Sequence, residues 1–271
     1  MTQNNRGSTP ANVGCSSHLK MVLPVDGFDD IIRSVPLERF DSILDVGIGA
    51  GAGSAYFADH GKKVTAIGLN VDAYSLPPNL TDKISLLRCD LMSSSLDNLR
   101  FDAVWFSHCL EHMPNPGLAL ERIHKLLNPG GWLFICVPPY SPRVQGGHLI
   151  TGWNVGQLIY FLLLCGFDVR NGHFVSHGYN IAGFVRKSEQ RLPPLNYDRG
   201  DIELLKDYLP QEITAVNAFD GDINAVNWIG FKTPINPQVN SPARRSLSKN
   251  MLRGLRSTAR PLFHWLRRIS Q

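Results

Sequence analysis

The run Ile43-Leu44-Asp45-Val46-Gly47-Ile48-Gly49-Ala50-Gly51-Ala52-Gly53 constrains this chain more than any other segment. Residues 42–46 read as a short buried strand, and the small residues from Ala52 to His60 read as a helix. Glycines between them let the backbone come close to a ligand, and the start of the helix offers free N–H groups. Dinucleotide-binding loops share this plan but space their glycines as GxGxxG. Here the glycines alternate at 47, 49 and 51, and the dinucleotide spacing would end on Ala52. Asp45 lies two residues before the first glycine, placed to meet an amino or cationic group.

The same alternation continues downstream. Strands are expected at Lys63–Ile67, Ile84–Arg88, Ala103–Phe106 and Trp132–Val137, with Asp102 just before the third of these. Leu118, Leu120, Ile123, Leu126 and Leu127 follow helical spacing, and Asn128-Pro129-Gly130-Gly131 stops that helix. Trp153–Cys165 reads as a second helix ending at Gly166, followed by a closing pair of strands, Phe167–Phe174 and Tyr179–Val185. Strands alternating with helices imply a mainly parallel sheet covered on both faces, an α/β three-layer sandwich. After Lys187 the texture changes: prolines bracket a short helix at Asp201–Tyr208, and residues 191–232 read as an accessory cap.

An apolar fraction of 43% in 271 residues supplies a sizeable core. The five cysteines are odd in number and widely spaced without a CxxC pair, which argues against a zinc ribbon or disulfide framework and fits a reducing, cytoplasmic setting. The polar first 17 residues read as disordered and lack the apolar stretch of a signal peptide. The longest apolar run, Leu158–Phe167, is about half the ~20 residues that span a bilayer.

The net charge of +4 conceals an asymmetry. Eight of the 27 Lys and Arg residues, and none of the 23 acids, lie beyond Ser241, which leaves a body of about −4. Residues 233–242 read as a linker. In the tail, Lys249, Arg253, Arg256, Arg260 and Arg267 fall on one helical face while Met251, Leu255, Leu262 and Phe263 gather on the other. A basic amphipathic segment of this kind suits an anionic membrane surface. Docking on the acidic body of the chain and binding nucleic acid are the other readings, the second less favoured.

Several motifs in order give the core a family resemblance. The D-x-G-x-G-x-G loop resembles motif I of class I, Rossmann-like methyltransferases that use S-adenosylmethionine. Cys89-Asp90-Leu91 is similar to their adenine-side acid, Phe101–His108 to the fourth-strand motif, Leu110-Glu111-His112 to the "LEH" segment, and Leu126–Leu133 to the "LkPGG" turn. The resemblance implies a seven-stranded sheet with one antiparallel strand near the edge, in a domain spanning 18–190. It also implies S-adenosyl-L-methionine as cofactor, with Gly47, Gly49 and Gly51 along the methionine portion and Asp45 near its amino group. Asn70 is expected at the ribose, Asp90 and Leu91 at the adenine, and Ser107 or His108 at the sulfonium end. At the end of the second strand Gly68 stands where the family usually carries a ribose-binding acid, and Asn70 or Asp72 is expected to substitute.

Transfer to an alcohol needs a group that takes the proton, and a histidine suits this. His108 and His148 are the expected bases, on loops that reach the cofactor rim. The His108-x-x-Glu111-His112 spacing with His148 suits a transition metal better than magnesium. His112 nevertheless reads as a packing and hydrogen-bonding residue, and no metal ligand is assigned. Tyr140, Trp153, Tyr160 and Phe161 carry no acceptor role in this reading. The chain is thus expected to be an O-methyltransferase acting on a small molecule or glycan, with a lipid-linked or surface polysaccharide precursor as one form of acceptor. A nicotinamide oxidoreductase is disfavoured by Asp45, the glycine spacing and Gly68. A non-catalytic scaffold built on a degenerate core is the remaining alternative.

Overall fold

The computed structural model describes residues 25–71, 82–217 and 219–232. The expectations for residues 1–17, Asp72 and 233–271 lie outside these. Within the described residues, one compact unit holds all but Asp220–Asp222.

Eight strands form one sheet: β1 (Ser42–Val46), β2 (Lys63–Gly68), β3 (Ile84–Arg88), β4 (Phe101–Ser107), β5 (Leu127–Val137), β6 (Phe167–His177), β7 (Asn180–Lys187) and β8 (Ala225–Val226). Their order is β3-β2-β1-β4-β5-β7-β6-β8. The first five in that order are mutually parallel, and β7 runs antiparallel between β5 and β6. The expected seven strands with one antiparallel member are therefore present. The two-residue β8, pairing Val226 with Phe174, adds an eighth at the edge.

Side chains alternate between the two faces of the sheet, as period two requires. Leu44 and Val46, Val104 and Phe106, and Leu133 and Ile135 enter a core with Leu120 and Ile123 of α3 (Pro116–Leu126) and Leu158 and Leu162 of α4 (Val155–Leu164). Their neighbours Ile43, Ala103, Trp105, Phe134 and Cys136 enter a second core with Ile31 and Ile32 of α1 (Phe28–Arg33) and Phe57 of α2 (Ala52–Asp59). α1 was not anticipated, being six residues long and capped by Gly27 without a side-chain hydrogen bond. Residues 191–232 hold α5 (Asp201–Leu205) and α6 (Gln211–Asn217) and supply Leu205, Leu209, Ile213 and Val226 to the first core. Among the described residues no helix is long and apolar enough to cross a membrane.

One expectation about local structure is corrected. Asn128–Gly131 ends α3, but instead of a free turn it forms a bulge inside β5, where the pairing jumps from Phe101↔Leu127 to Ala103↔Trp132. Asp102 sits opposite the bulge and fastens it. One of its carboxylate oxygens accepts from Asn128 Nδ2 at 2.8 Å, and the other from Ser42 N and Oγ at 3.0 and 2.8 Å. Burial acts to raise the Asp102 pKa, but hydrogen bonds from Ser42, Asn128 and the backbone outweigh it and hold the group below its ordinary 3.8. Its contribution is therefore present above the unfolded value and lost as pH falls through the depressed folded one. Asp102→Ala is expected to cost about 1.5–3 kcal/mol at pH 7, with the difference from wild type shrinking in strong acid. Urea denaturation of both forms at pH 7 and pH 3 measures this.

Asp45 behaves in the opposite way. It closes β1 at 3% exposure, and its Oδ2 accepts from Ser54 Oγ at 2.6 Å, which ties the strand to the first turn of α2. Burial raises its carboxyl from 3.8 to about 6, the Ser54 hydrogen bonds offsetting only part of this. The folded state then holds an extra proton between those values, so stability falls as pH rises from about 4 to 6, by up to about 3 kcal/mol. Asp45→Asn keeps a partner for Ser54 and removes that slope. Its unfolding free energy relative to wild type is expected to improve between pH 4 and pH 7; a difference independent of pH would refute the assignment.

Candidate functional site

The loop after β1 turns back over the end of β2, with Gly47 N and Ile48 N both donating to the Ile67 carbonyl at 3.0 and 3.1 Å. A Cβ on Gly47 would lie 2.7 Å from Cys109 Sγ, and one on Gly53 would lie 2.8 Å from Trp105 Nε1. At those two positions a side chain would strike the protein's own atoms, and at Gly47 the left-handed φ of +78° also favours glycine. Gly51 is buried and caps α2 in a left-handed conformation, so it also serves the helix start. Gly49 differs. Its φ is +52°, and a Cβ there would meet only the Gly47 carbonyl, at 3.9 Å. Its missing side chain leaves open space on the exposed side of the loop, at the C-terminal ends of the parallel strands where ligands of open α/β sheets bind.

The other expected cofactor residues lie on loops at the same ends of the strands. Gly68 ends β2, and a Cβ there would lie 3.0 Å from Ile48 Cγ2, so a side chain at this position would press on Ile48. Asn70 follows on the exposed loop. Asp90 is exposed after β3, where its Oδ1 accepts from Met92 N at 2.8 Å in an Asx turn. Leu91 is buried, with its carbonyl held by Arg122 Nε. Ser107 ends β4 half-buried and hydrogen-bonds Cys136. Asp45, by contrast, points into the β1–α2 junction rather than out of it. Burial pushes the thiols of Cys109 and Cys136 up to about 12, which suits packing rather than nucleophilic use.

Beyond β4 the chain enters a short 3-10 turn, Leu110–His112. His108 precedes it with φ at +50°, a left-handed conformation rare for a residue with a side chain. Its backbone N–H is fixed by the Cys136 carbonyl at 2.9 Å. Its Nε2 lies 3.0 Å from Asn180 Oδ1. Asn180 Nδ2 donates to the carbonyls of Asp26 and His177, so Oδ1 is the acceptor and His108 Nε2 carries the hydrogen. The lone pair is then on Nδ1, 3.5 Å from Glu111 Oε1. Glu111 is fully buried, and neither carboxylate oxygen has a hydrogen-bond partner.

The loop after β5 folds back onto this turn. Leu149 N and Ile150 N both donate to the Glu111 carbonyl, and His112 Nδ1 donates to the Gly147 carbonyl at 2.6 Å. His148 thereby meets His112 edge-on at 4.9 Å between ring centroids. The structure thus brings both expected bases, His108 and His148, to the two sides of one buried carboxylate.

Asn180, Tyr179 and Gln145 were not anticipated. Tyr179 stacks on His108 at 5.7 Å, and Gln145 Nε2 donates to the Tyr179 hydroxyl. Tyr179 and Asn180 reach the site through the β6–β7 turn, whose antiparallel position next to β5 carries no local motif, and Gln145 through the loop after β5. Trp153 is buried at 1% exposure and packs against Phe161, while Tyr140 is 64% exposed on the rim.

Residues 44–135 match the family model described as a methyltransferase domain. Among curated proteins, the chain is similar to the malonyl-[acyl-carrier protein] O-methyltransferase of Enterobacter lignolyticus, at 28% identity over 39% of this chain and 42% of that protein. It is similar to the ubiquinone biosynthesis O-methyltransferase of Coxiella burnetii at 32% identity, over 34% of this chain and 41% of that one. The chain spans less than half the length of these curated relatives. Among solved structures, it is similar to the 1,6-didemethyltoxoflavin-N1-methyltransferase of Burkholderia thailandensis, bound to its acceptor and S-adenosylhomocysteine, at 26% identity and a TM-score of 0.48, over 59% of this chain and 76% of that one. One chain of a Haloferax volcanii complex containing the Trm112 methyltransferase activator shares the fold at 18% identity and a TM-score of 0.50, over 59% of this chain and 88% of that one. Residues 44–135 thus resemble a methyltransferase domain, and the sheet around them has the Rossmann-like fold of class I methyltransferases, which use S-adenosylmethionine.

Proposed function

We propose that this chain transfers the methyl group of S-adenosylmethionine to an oxygen of a small-molecule or glycan acceptor. The observation that carries this reading is the adjacency of two features at the strand ends. The open face of the loop at Gly49 offers room for a cofactor, and the histidines gathered around Glu111 offer a means of removing a proton. S-adenosylmethionine, held along the loop of Gly47, Gly49 and Gly51, would supply an electrophilic methyl group whose S–C electron pair stays on sulfur, and His108 Nδ1 would take the proton of the acceptor hydroxyl. The buried Glu111 carboxylate stabilises the imidazolium so formed. A neutral amine needs no such base, which favours oxygen.

The ammonium group of a bound methionine portion is proposed to lie near Asp45, whose Oδ2 accepts from Ser54 Oγ. Asn70 is the side chain proposed at the ribose, in place of an acid at Gly68. Gly68 is equally the feature that favours the alternative of a non-catalytic scaffold, since a side chain there would press on Ile48. Calorimetry with S-adenosylhomocysteine separates the two. Methyl transfer expects saturable one-to-one binding, weakened at least about tenfold by Gly49→Asn, where asparagine tolerates the left-handed backbone and fills the open face. No binding to the wild-type chain would favour the scaffold.

The setting proposed is cytoplasmic, with residues 241–271 holding the chain reversibly at an anionic membrane face and so near a lipid-linked acceptor. Each basic residue near such a surface contributes about 1 kcal/mol. Co-sedimentation with vesicles containing phosphatidylserine is expected to pellet the full chain and to leave a chain lacking residues 241–271 in solution. Equal pelleting of the two forms refutes it.

A further inference from the structure

We propose that Glu111, His112 and His148 form a binding site for a divalent transition-metal ion. Each offers one ligand atom, and the three atoms lie within 4.8 Å of one another. Bonds of about 2.0–2.2 Å to a shared tetrahedral ion place ligand atoms about 3.4 Å apart, so side-chain rotation must draw the three together.

Three observations separate this cluster from a chance grouping. First, both Glu111 oxygens and His148 Nδ1 are buried without hydrogen-bond partners. A buried carboxylate is costly unless something compensates its charge. The side chains that face it within 4.0 Å in ion-pair range, among the described residues, are His108 at 3.5 Å and His112 at 4.0 Å, neither bonded to it in hydrogen-bond geometry. Second, His112 is already set as a ligand. Its Nδ1–H is held by the Gly147 carbonyl at 2.6 Å, which leaves Nε2 as the lone-pair nitrogen on the Glu111 side. A backbone carbonyl on the far nitrogen is the usual outer support of a metal-bound imidazole. Third, the two segments that supply the ligands are cross-braced by Leu149 N and Ile150 N on the Glu111 carbonyl, so the cluster is assembled before any ion arrives.

Two imidazoles and one carboxylate suit zinc, cobalt or manganese rather than magnesium or calcium, which favour oxygen throughout. Three protein ligands leave a position for water or an acceptor oxygen. Metal binding stands on the cluster alone. Only its use, to polarise the acceptor hydroxyl, rests on the methyl-transfer reading; in that case His148 is a ligand and His108 remains the base.

The competing account is that protonated histidines neutralise Glu111 and no metal binds. Chelator-treated full-length protein titrated with Co²⁺, followed by visible absorption, distinguishes them. The expected result is one equivalent of Co²⁺ with intense d–d bands. Glu111→Gln and His148→Ala should weaken it by more than the ~10–100-fold that loss of an outer partner costs. His173→Ala, whose ring bonds the Asn227 carbonyl elsewhere, should leave it unchanged. Thermal unfolding of each variant reports folding without reference to the cofactor, and the isosteric Glu111→Gln decides if His148→Ala fails to fold. The proposal is overturned if the folded wild type shows no Co²⁺ bands, or if Glu111→Gln binds Co²⁺ as wild type does. S-adenosylhomocysteine binding, measured separately, tests the methyl-transfer reading: its absence with Co²⁺ retained overturns that reading and leaves the metal site.

Discussion

Parallel pairing of β1 with β4, in the register Val46↔Phe106, sets the exits of these two strands side by side. Everything at the rim depends on that adjacency. The chain leaving β1 must bend as a bare-backbone loop because Cys109, leaving β4, stands where a side chain on Gly47 would be. The same exit throws His108 into a left-handed conformation and buries Glu111 beneath it. Glycine loop and histidine cluster are two outcomes of one strand pairing, which is why they lie next to each other.

The central sheet was legible because its signals are local. Alternating apolar runs, glycines at strand ends and a proline after a helix each act within a few residues, and together they fix a parallel core. Features that depend on distant partners were not legible. β8 has two residues and exists because Phe174 and Val175 offer an edge. The Asn128–Gly131 segment reads as a turn until Asp102, across the sheet, is seen to hold it as a bulge.

The site was legible in a similar way. Glycines 47, 49 and 51 and histidines 108 and 148 come from motifs or from loops at known strand ends, and the fold brings them to one rim. Asp45 was read as lying near an amino group; its burial against Ser54, a contact made nine residues along the chain, carries no signal in the motif. Asn180 and Tyr179 carry no motif at all. They matter because an antiparallel hairpin inserted beside β5 delivers its turn to His108, a matter of topology rather than composition.

The contact between Ile48 and Gly68 couples two positions of the rim. A side chain added at 68 presses on the Ile48 Cγ2 methyl at 3.0 Å, so a residue larger than glycine there needs that methyl to give by a few tenths of an ångström. A smaller residue at 48 relieves that pressure, which makes 48 the position to change first when a carboxylate is introduced at 68.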